Sequence, residues 1–187
     1  MLVGKPIAQR LQIPLYMLAT ARITLPGTHD EYIGTIDQLG EFTYRSDLTQ
    51  GQIEEIELEF RNHIELQKIE KSRELNKLVG REGLIELEAI RDHNVLLTYD
   101  GMEDGTDLDA IMEFLKPIQV RRLIGIAPVA SIEAIDRMHI MVDEIRVLSP
   151  KPNYMGTNHY FDENRLPSPE DAERMVAELH HNPAFDA

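Results

Sequence analysis

The sequence predicts a single doubly wound α/β domain, and three observations lead there. Beyond His93, short runs rich in Val, Ile and Leu alternate with helical patches in the order strand, helix, strand, helix, strand. Apolar runs of this kind belong to parallel strands buried on both faces, and right-handed crossovers then wind helices about the sheet. The length of 187 residues suffices for one well-buried core and gives no reason to expect two.

The elements follow in chain order. Ile7 to Leu11 is a short apolar-periodic piece, and Ile13 to Ala19 reads as a buried strand. Pro26-Gly27-Thr28 marks a turn, Tyr32 to Ile36 a second strand, and Gly40 a break. Thr49 and Gln52 have the spacing of a capping box, in which hydroxyl and amide satisfy each other's backbone N–H. From there Ile53, Ile56, Phe60, Ile64 and then Gln67 or Leu66 recur at steps of three and four, one face of a long amphipathic helix reaching about Leu78. Gly80 and Gly83 stand near its end. Val95 to Thr98 is a strand, Asp107 to Leu115 a helix stopped at Pro117, and Leu123 to Ala127 the next strand. Ser131 is a natural N-cap for Ile132 to Met141, and Glu144 to Leu148 is a further strand. The segment from Pro150 is rich in aromatics and Pro, and Ser168-Pro169-Glu170 opens a last short helix.

Composition removes several function classes. A net charge of −14 argues against nucleic acid, which is bound through clustered Lys and Arg, and disfavours an anionic membrane surface. The absence of Cys excludes thiolate chemistry, disulfides and cysteine metal sites. No apolar run approaches the roughly 18 residues of a membrane span, and Met1 to Gln9 lacks the pattern of a secretion signal. The sequence therefore reads as that of a cytoplasmic protein.

The functional signal concentrates between Val95 and Asp107, where an apolar run, an acid and a glycine-bearing turn open a helix. That is the layout of a phosphate-binding strand–helix loop, whose N–H groups face an anion. Here the turn carries Glu103, Asp104 and Asp107, where a phosphate needs neutral donors. Unit charges of like sign about 4 Å apart cost roughly 4 kcal/mol at an effective dielectric of about 20. One carboxylate facing the phosphate thus lowers affinity on the order of a thousandfold. Asp104 as N-cap and Asp107 three positions on would instead satisfy the helix N–H groups and dipole themselves.

The order and spacing of these segments resemble the type I phosphoribosyltransferase family, in its bacterial branch with a long helical insertion, over roughly Leu2 to Val176. Pro6-Ile7-Ala8 through Leu15, Ala21 to Gly27 followed by Gly34-Thr35-Ile36, and Ile126 to Ala130 followed by Val142 to Ile145 carry the likeness. So do Asn153-Tyr154 and His159-Tyr160, which match an aromatic hood. The resemblance implies one domain over 1–187, with the insertion at 49–80 and the hood and tail at 150–187. It also implies a site for phosphoribosyl pyrophosphate (PRPP). In the family two adjacent acids hold the ribose hydroxyls, and a Gly, Ala and Thr loop cradles the 5′-phosphate.

Position by position that site is degraded. Tyr99 stands at the first acid and Asp100 at the second; Gly101, Gly105 and Thr106 remain of the cradle, joined by Glu103, Asp104 and Asp107. The family's Arg-Lys pair becomes Ala21-Arg22, and only Leu2-Val3-Gly4-Lys5 stands where the pyrophosphate loop should lie. The expectation is a phosphoribosyltransferase-like protein that has lost PRPP-dependent transfer and serves as a binding, regulatory or assembly subunit, with a protein partner or as a homodimer, and without a cofactor. Two alternatives stay open. One is an active transferase on a nucleobase-like acceptor, using Mg²⁺, Asp100 and Arg22; the other senses a nucleoside or sugar without turnover.

The remaining candidates have plainer readings. An EF-hand at Asp100 fails because Met102 and Ile111 occupy ligand positions; a looser Mg²⁺ site from Asp100, Glu103 and Asp104 competes with helix capping. His180-His181 point apart on a helix. Tyr154, His159 and Tyr160 either cover the core edge or stack on a ligand. Leu58 and Leu66 lie off the main helical stripe and offer a partner surface.

Overall fold

A computed structural model describes residues 2–27, 32–79, 85, 87–162, 168, 170–171 and 174–175. It is a mixed α/β protein with two three-stranded sheets. Helix α1 (Gly4–Leu11) leads into an antiparallel sheet of β1 (Thr20–Thr24), β2 (Tyr32–Asp37) and β3 (Phe42–Tyr44), followed by the long helix α2 (Gln50–Val79). A short α3 (Leu87–Ile90) precedes β4 (Asn94–Thr98), α4 (Asp107–Leu115), β5 (Arg122–Ser131), α5 (Ile132–Met141) and β6 (Glu144–Lys151). A 3₁₀ turn at Thr157–Tyr160 lies in the hood segment.

The antiparallel sheet forms the first core with α2. Ile23, Ile33 and Ile36 meet Ile64, Leu75 and Val79, with Ile56 and Phe60 packed against them, so the predicted stripe is the buried face. The capping box forms as expected: the Thr49 amide donates to Gln52 Oε1 at 2.9 Å and the Gln52 amide to Thr49 Oγ1 at 3.4 Å. Gln67 does more than pack. Its side-chain amide donates to the Thr24 carbonyl at 2.6 Å and accepts the Thr24 amide at 3.2 Å, standing in for a ladder partner at the end of β1. Gly80 and Gly83 lie outside the described residues.

The β4–α4–β5–α5–β6 run matches the predicted alternation, with both pairings parallel. The order β4-β5-β6 follows the chain, so right-handed crossovers place α4 and α5 on the same face. Doubly wound topology needs a reversal of strand order, and among the described residues no strand pairs with the other side of β4. Ser131 caps α5 by accepting the Ala134 amide at 2.9 Å. Ser168 likewise accepts the Asp171 amide at 3.1 Å, while Pro169 lies outside the described residues. No helix among the described residues is long and apolar enough to cross a membrane.

Two expectations about strands require correction. Residues Ile13–Ala19 form no strand; β1 begins at Thr20. Pro14 has no amide to give a ladder, and the segment lies apart from β4 across a cavity. Apolar character alone does not make a strand without a neighbour to pair with. The β1 and β3 strands, by contrast, are absent from the sequence expectation; β3 has only three residues and shows no period to read.

Gly34 marks where the two backbones of the β2–β3 pair come closest. A Cβ there would lie 2.3 Å from the Thr43 carbonyl oxygen and 2.7 Å from the Phe42 ring, and the paired backbone cannot yield. Gly34→Ala is expected to lower stability by about 1–3 kcal/mol. Urea unfolding measures it, and an unchanged midpoint would show that the pair opens freely.

Candidate functional site

The loop between β4 and α4 is where the chain places its charge. Gly105 adopts φ +66°, and a Cβ on it would lie 3.3 Å from Ala134 Cα on α5. Glycine is therefore required twice, for the left-handed turn and for the close helix. The turn aims the Thr106 amide back toward Asp104, whose Oδ1 accepts it at 3.2 Å and the Thr106 hydroxyl at 2.8 Å. Arg22, on β1, reaches across from the other sheet. Its Nη2 donates to Asp104 Oδ1 at 3.1 Å, to Asp104 Oδ2 at 3.0 Å and to Thr106 Oγ1 at 3.1 Å. The Arg22 guanidinium also lies over the Tyr32 ring at 4.9 Å, and Arg45 over the same ring at 5.2 Å.

The amide, hydroxyl and guanidinium that would hold an anion are thus turned on one internal carboxylate. Burial alone would raise the Asp104 pKa, but the Thr106 amide, the Thr106 hydroxyl and Arg22 outweigh it and hold the carboxyl below its ordinary value. The expectation that Asp104 is the N-cap is corrected: the cap of α4 is Thr106, already in helical conformation, and Asp104 acts two residues earlier in a side-chain turn. Asp107 does not cap either. It lies in the first turn of α4 and lines an apolar cavity. Burial chiefly pushes its carboxyl above the usual range, with Arg22 opposing the rise and Asp104 adding to it.

Asp100 accepts the Val3 amide at 3.0 Å. Val3 precedes the first turn of α1, so the carboxylate sits where the helix dipole favours negative charge. Tyr99 faces the other way, into the apolar cores; its hydroxyl is buried without a hydrogen-bond partner. Burial, then the nearby Asp107 charge, raises its pKa. Glu103 is exposed. Among the described residues no three acidic or His side chains converge to hold a metal. Of the three acids weighed above, Asp100 and Asp104 turn to separate protein donors and Glu103 is exposed. His180 and His181 lie outside the described residues.

The segment around Tyr154 and Thr157 packs on this loop. A Cβ on Gly101 would lie 2.5 Å from Tyr154 Oη and 2.6 Å from Thr157 Oγ1, and these two hydroxyls are 2.7 Å apart. Tyr160 stacks behind Tyr154 at 5.3 Å, accepts the Met155 amide and donates to the Asn153 carbonyl. His159 is exposed and touches the edge of the Tyr160 ring at 5.0 Å. Tyr154 therefore meets the loop, Tyr160 supports it, and His159 faces outward.

Sequence reasoning missed three participants. Thr157 closes on Gly101 from the hood. Val3 supplies a backbone amide, which no side-chain motif signals. Asp109, buried on α4, accepts Arg137 Nη2 at 2.8 Å, the Ser46 hydroxyl at 3.1 Å and the Ser46 amide at 3.3 Å, locking α4 to α5 and to the segment after β3. Its position two residues past Asp107 was the available sign, since an acid on the inward face of a helix needs a buried partner.

Asp107 gives a pH signature. Its folded pKa lies above its unfolded value, so the folded chain holds the proton more tightly across that interval. The cost of ionising it is absent below the unfolded pKa, grows as pH rises from there to the folded pKa, and is complete above it. Asp107→Asn is expected to leave stability nearly unchanged in acid and to raise it at neutral pH. Urea unfolding at both conditions checks this, and an equal effect at each would contradict it.

No family model matches the chain, and no curated protein matches it. Among solved structures, the crystal structure of TT1426 from Thermus thermophilus is similar to it. The TM-score is 0.69 over 94% of this chain and 81% of that chain, at 22% sequence identity. At that identity the likeness shows the fold, a mixed α/β architecture shared along most of the chain.

Proposed function

We propose that the chain is a type I phosphoribosyltransferase-like protein that has lost PRPP-dependent transfer and acts as a binding, regulatory or assembly subunit, alone as a homodimer or with a protein partner. The strand, loop and helix at β4 and α4, the glycine turn at Gly105 and the hood over Gly101 support the likeness. The observation that carries the loss of transfer is Asp104. Its carboxylate takes the Thr106 amide, the Thr106 hydroxyl and Arg22 together. An incoming phosphate would compete with an anion already bonded at 2.8–3.2 Å and would meet its repulsion, roughly 4 kcal/mol for unit charges about 4 Å apart. Asp100 already accepts the Val3 amide on one carboxylate oxygen.

Incubation with PRPP, Mg²⁺ and each common nucleobase is expected to release no pyrophosphate. Product formation abolished by Asp100→Ala would overturn the proposal. Asp104→Asn removes the charge while keeping the side chain's shape, and is expected to raise affinity for inorganic phosphate, by up to roughly a thousandfold if the whole repulsion is relieved. Calorimetry reads this directly, and unchanged affinity would clear Asp104 of blocking the cradle.

A further inference from the structure

Helix α2 is apolar on two sides. Ile64, Leu75 and Val79 are buried in the core it shares with the antiparallel sheet. On the opposite side Glu55, Leu58, Asn62, Leu66, Ile69 and Arg73 follow one another at steps of three and four, and all are exposed. That spacing lays side chains in one stripe along a helix. Leu58 is 90% exposed, Leu66 68% and Ile69 51%. A single exposed leucine is ordinary on a protein surface. Three large aliphatic residues on one stripe, within about three turns of helix, make a patch.

The charges on this face are ordered. Glu55 lies nine residues before Ile64 and Arg73 nine residues after it, so the two flank the patch at equal distances from its middle. The same order runs along the whole helix. Residues 50–60 hold Glu54, Glu55, Glu57 and Glu59 and no base, whereas residues 68–79 hold Lys68, Lys71, Arg73 and Lys77 against Glu70 and Glu74. The helix dipole favours such an order only within the first and last turns, and Glu55 and Arg73 both lie further in. Local pairing does not use them either. Lys68 bonds to Glu65 and Lys71 to Glu74, while Glu55 and Arg73 form no ion pair among the described residues.

A face that carries its own complement at the equivalent place beyond its centre is matched by a second copy of itself. With two α2 helices antiparallel about a twofold axis at the level of Ile64, Glu55 of each copy meets Arg73 of the other. Leu58, Leu66 and Ile69 of both copies then lie between these charges. A foreign acidic helix would match the C-terminal half and be repelled by the other. A basic one would do the reverse, and a parallel copy would set Glu against Glu. The antiparallel copy satisfies both halves. We propose that the exposed face of α2 is a homodimer surface, closed over Leu58, Leu66 and Ile69 and matched in charge by Glu55 and Arg73 at both ends. The pairing rests on the assembly role proposed above and gives it a surface. It uses nothing from the Asp104 loop, so its failure would leave the loss of transfer standing.

Sedimentation of the intact chain over a range of concentrations is expected to show a mass rising from one chain to two. Leu58→Glu is expected to hold the chain as a monomer with unchanged circular dichroism, because so exposed a side chain supports little of its own fold. Glu55→Arg and Arg73→Glu each put like charges at both ends of the pair, and each is expected to weaken dimerisation on the order of tenfold. Combining Glu55→Arg with Arg73→Glu exchanges the charges and is expected to restore it. A monomer at every concentration, or a dimer that Leu58→Glu leaves intact, would overturn the surface. A double variant no tighter than either single one would overturn the antiparallel match.

Discussion

The Asp104 carboxylate receives the Thr106 amide, the Thr106 hydroxyl and the Arg22 guanidinium at once. Because Arg22 stands on β1 and Thr106 begins α4, this contact ties the antiparallel sheet to the parallel one. The side chains involved are partly exposed, 45% for Arg22 and 28% for Asp104. The ion pair by itself therefore contributes little, about 0–1 kcal/mol. Its importance is geometric. With Asp104 fixed, the left-handed turn at Gly105 follows, α4 starts after its cap Thr106, and Tyr154 and Thr157 pack over Gly101 on the other flank of the loop.

That geometry also separates two neighbouring acids. Asp104 and Asp107 share the loop, yet one is held ionised by donors and the other is pushed toward its neutral form by burial. Opposed shifts in one site often mark an acid and a base. Here each has a structural cause that needs no substrate. Asp104 is paired with protein donors, and Asp107 lies against an apolar cavity beside the Tyr99 hydroxyl, which has no partner of its own. Perturbed groups of this kind arise in structural networks as well as in catalytic ones.

Local features were legible because their cause is local. The Ser131 cap, the Thr49–Gln52 box and the stripe from Ile56 to Ile64 involve residues within one or two turns of helix. The β4–α4 loop was legible as a glycine-bearing turn that carries acids and opens a helix. The assignment of Asp104 as N-cap failed because a cap and a side-chain turn two residues earlier use the same residue types. Contacts distant in sequence were not visible: Arg22 meets Asp104 across 82 positions, and Val3 meets Asp100 across 97. The reading of Ile13–Ala19 as a strand failed for a related reason, since a strand is a property of a pair, and the pattern of one segment does not show whether its partner is present.

The unpaired segment and the unpaired edge belong to one problem. A parallel strand is normally buried on both sides, and β4 sits at an edge with Leu96 and Thr98 turned outward toward a cavity. Elsewhere the chain closes its edges with side chains: Gln67 pairs with both polar groups of Thr24, and Gln38 accepts the Ala19 amide at 3.0 Å. Beside β4 the polar side chains of Thr20 and Asn94 line the same cavity. Each amide left there without water or a partner costs about 1–3 kcal/mol, so the edge is tolerated either wet or occupied.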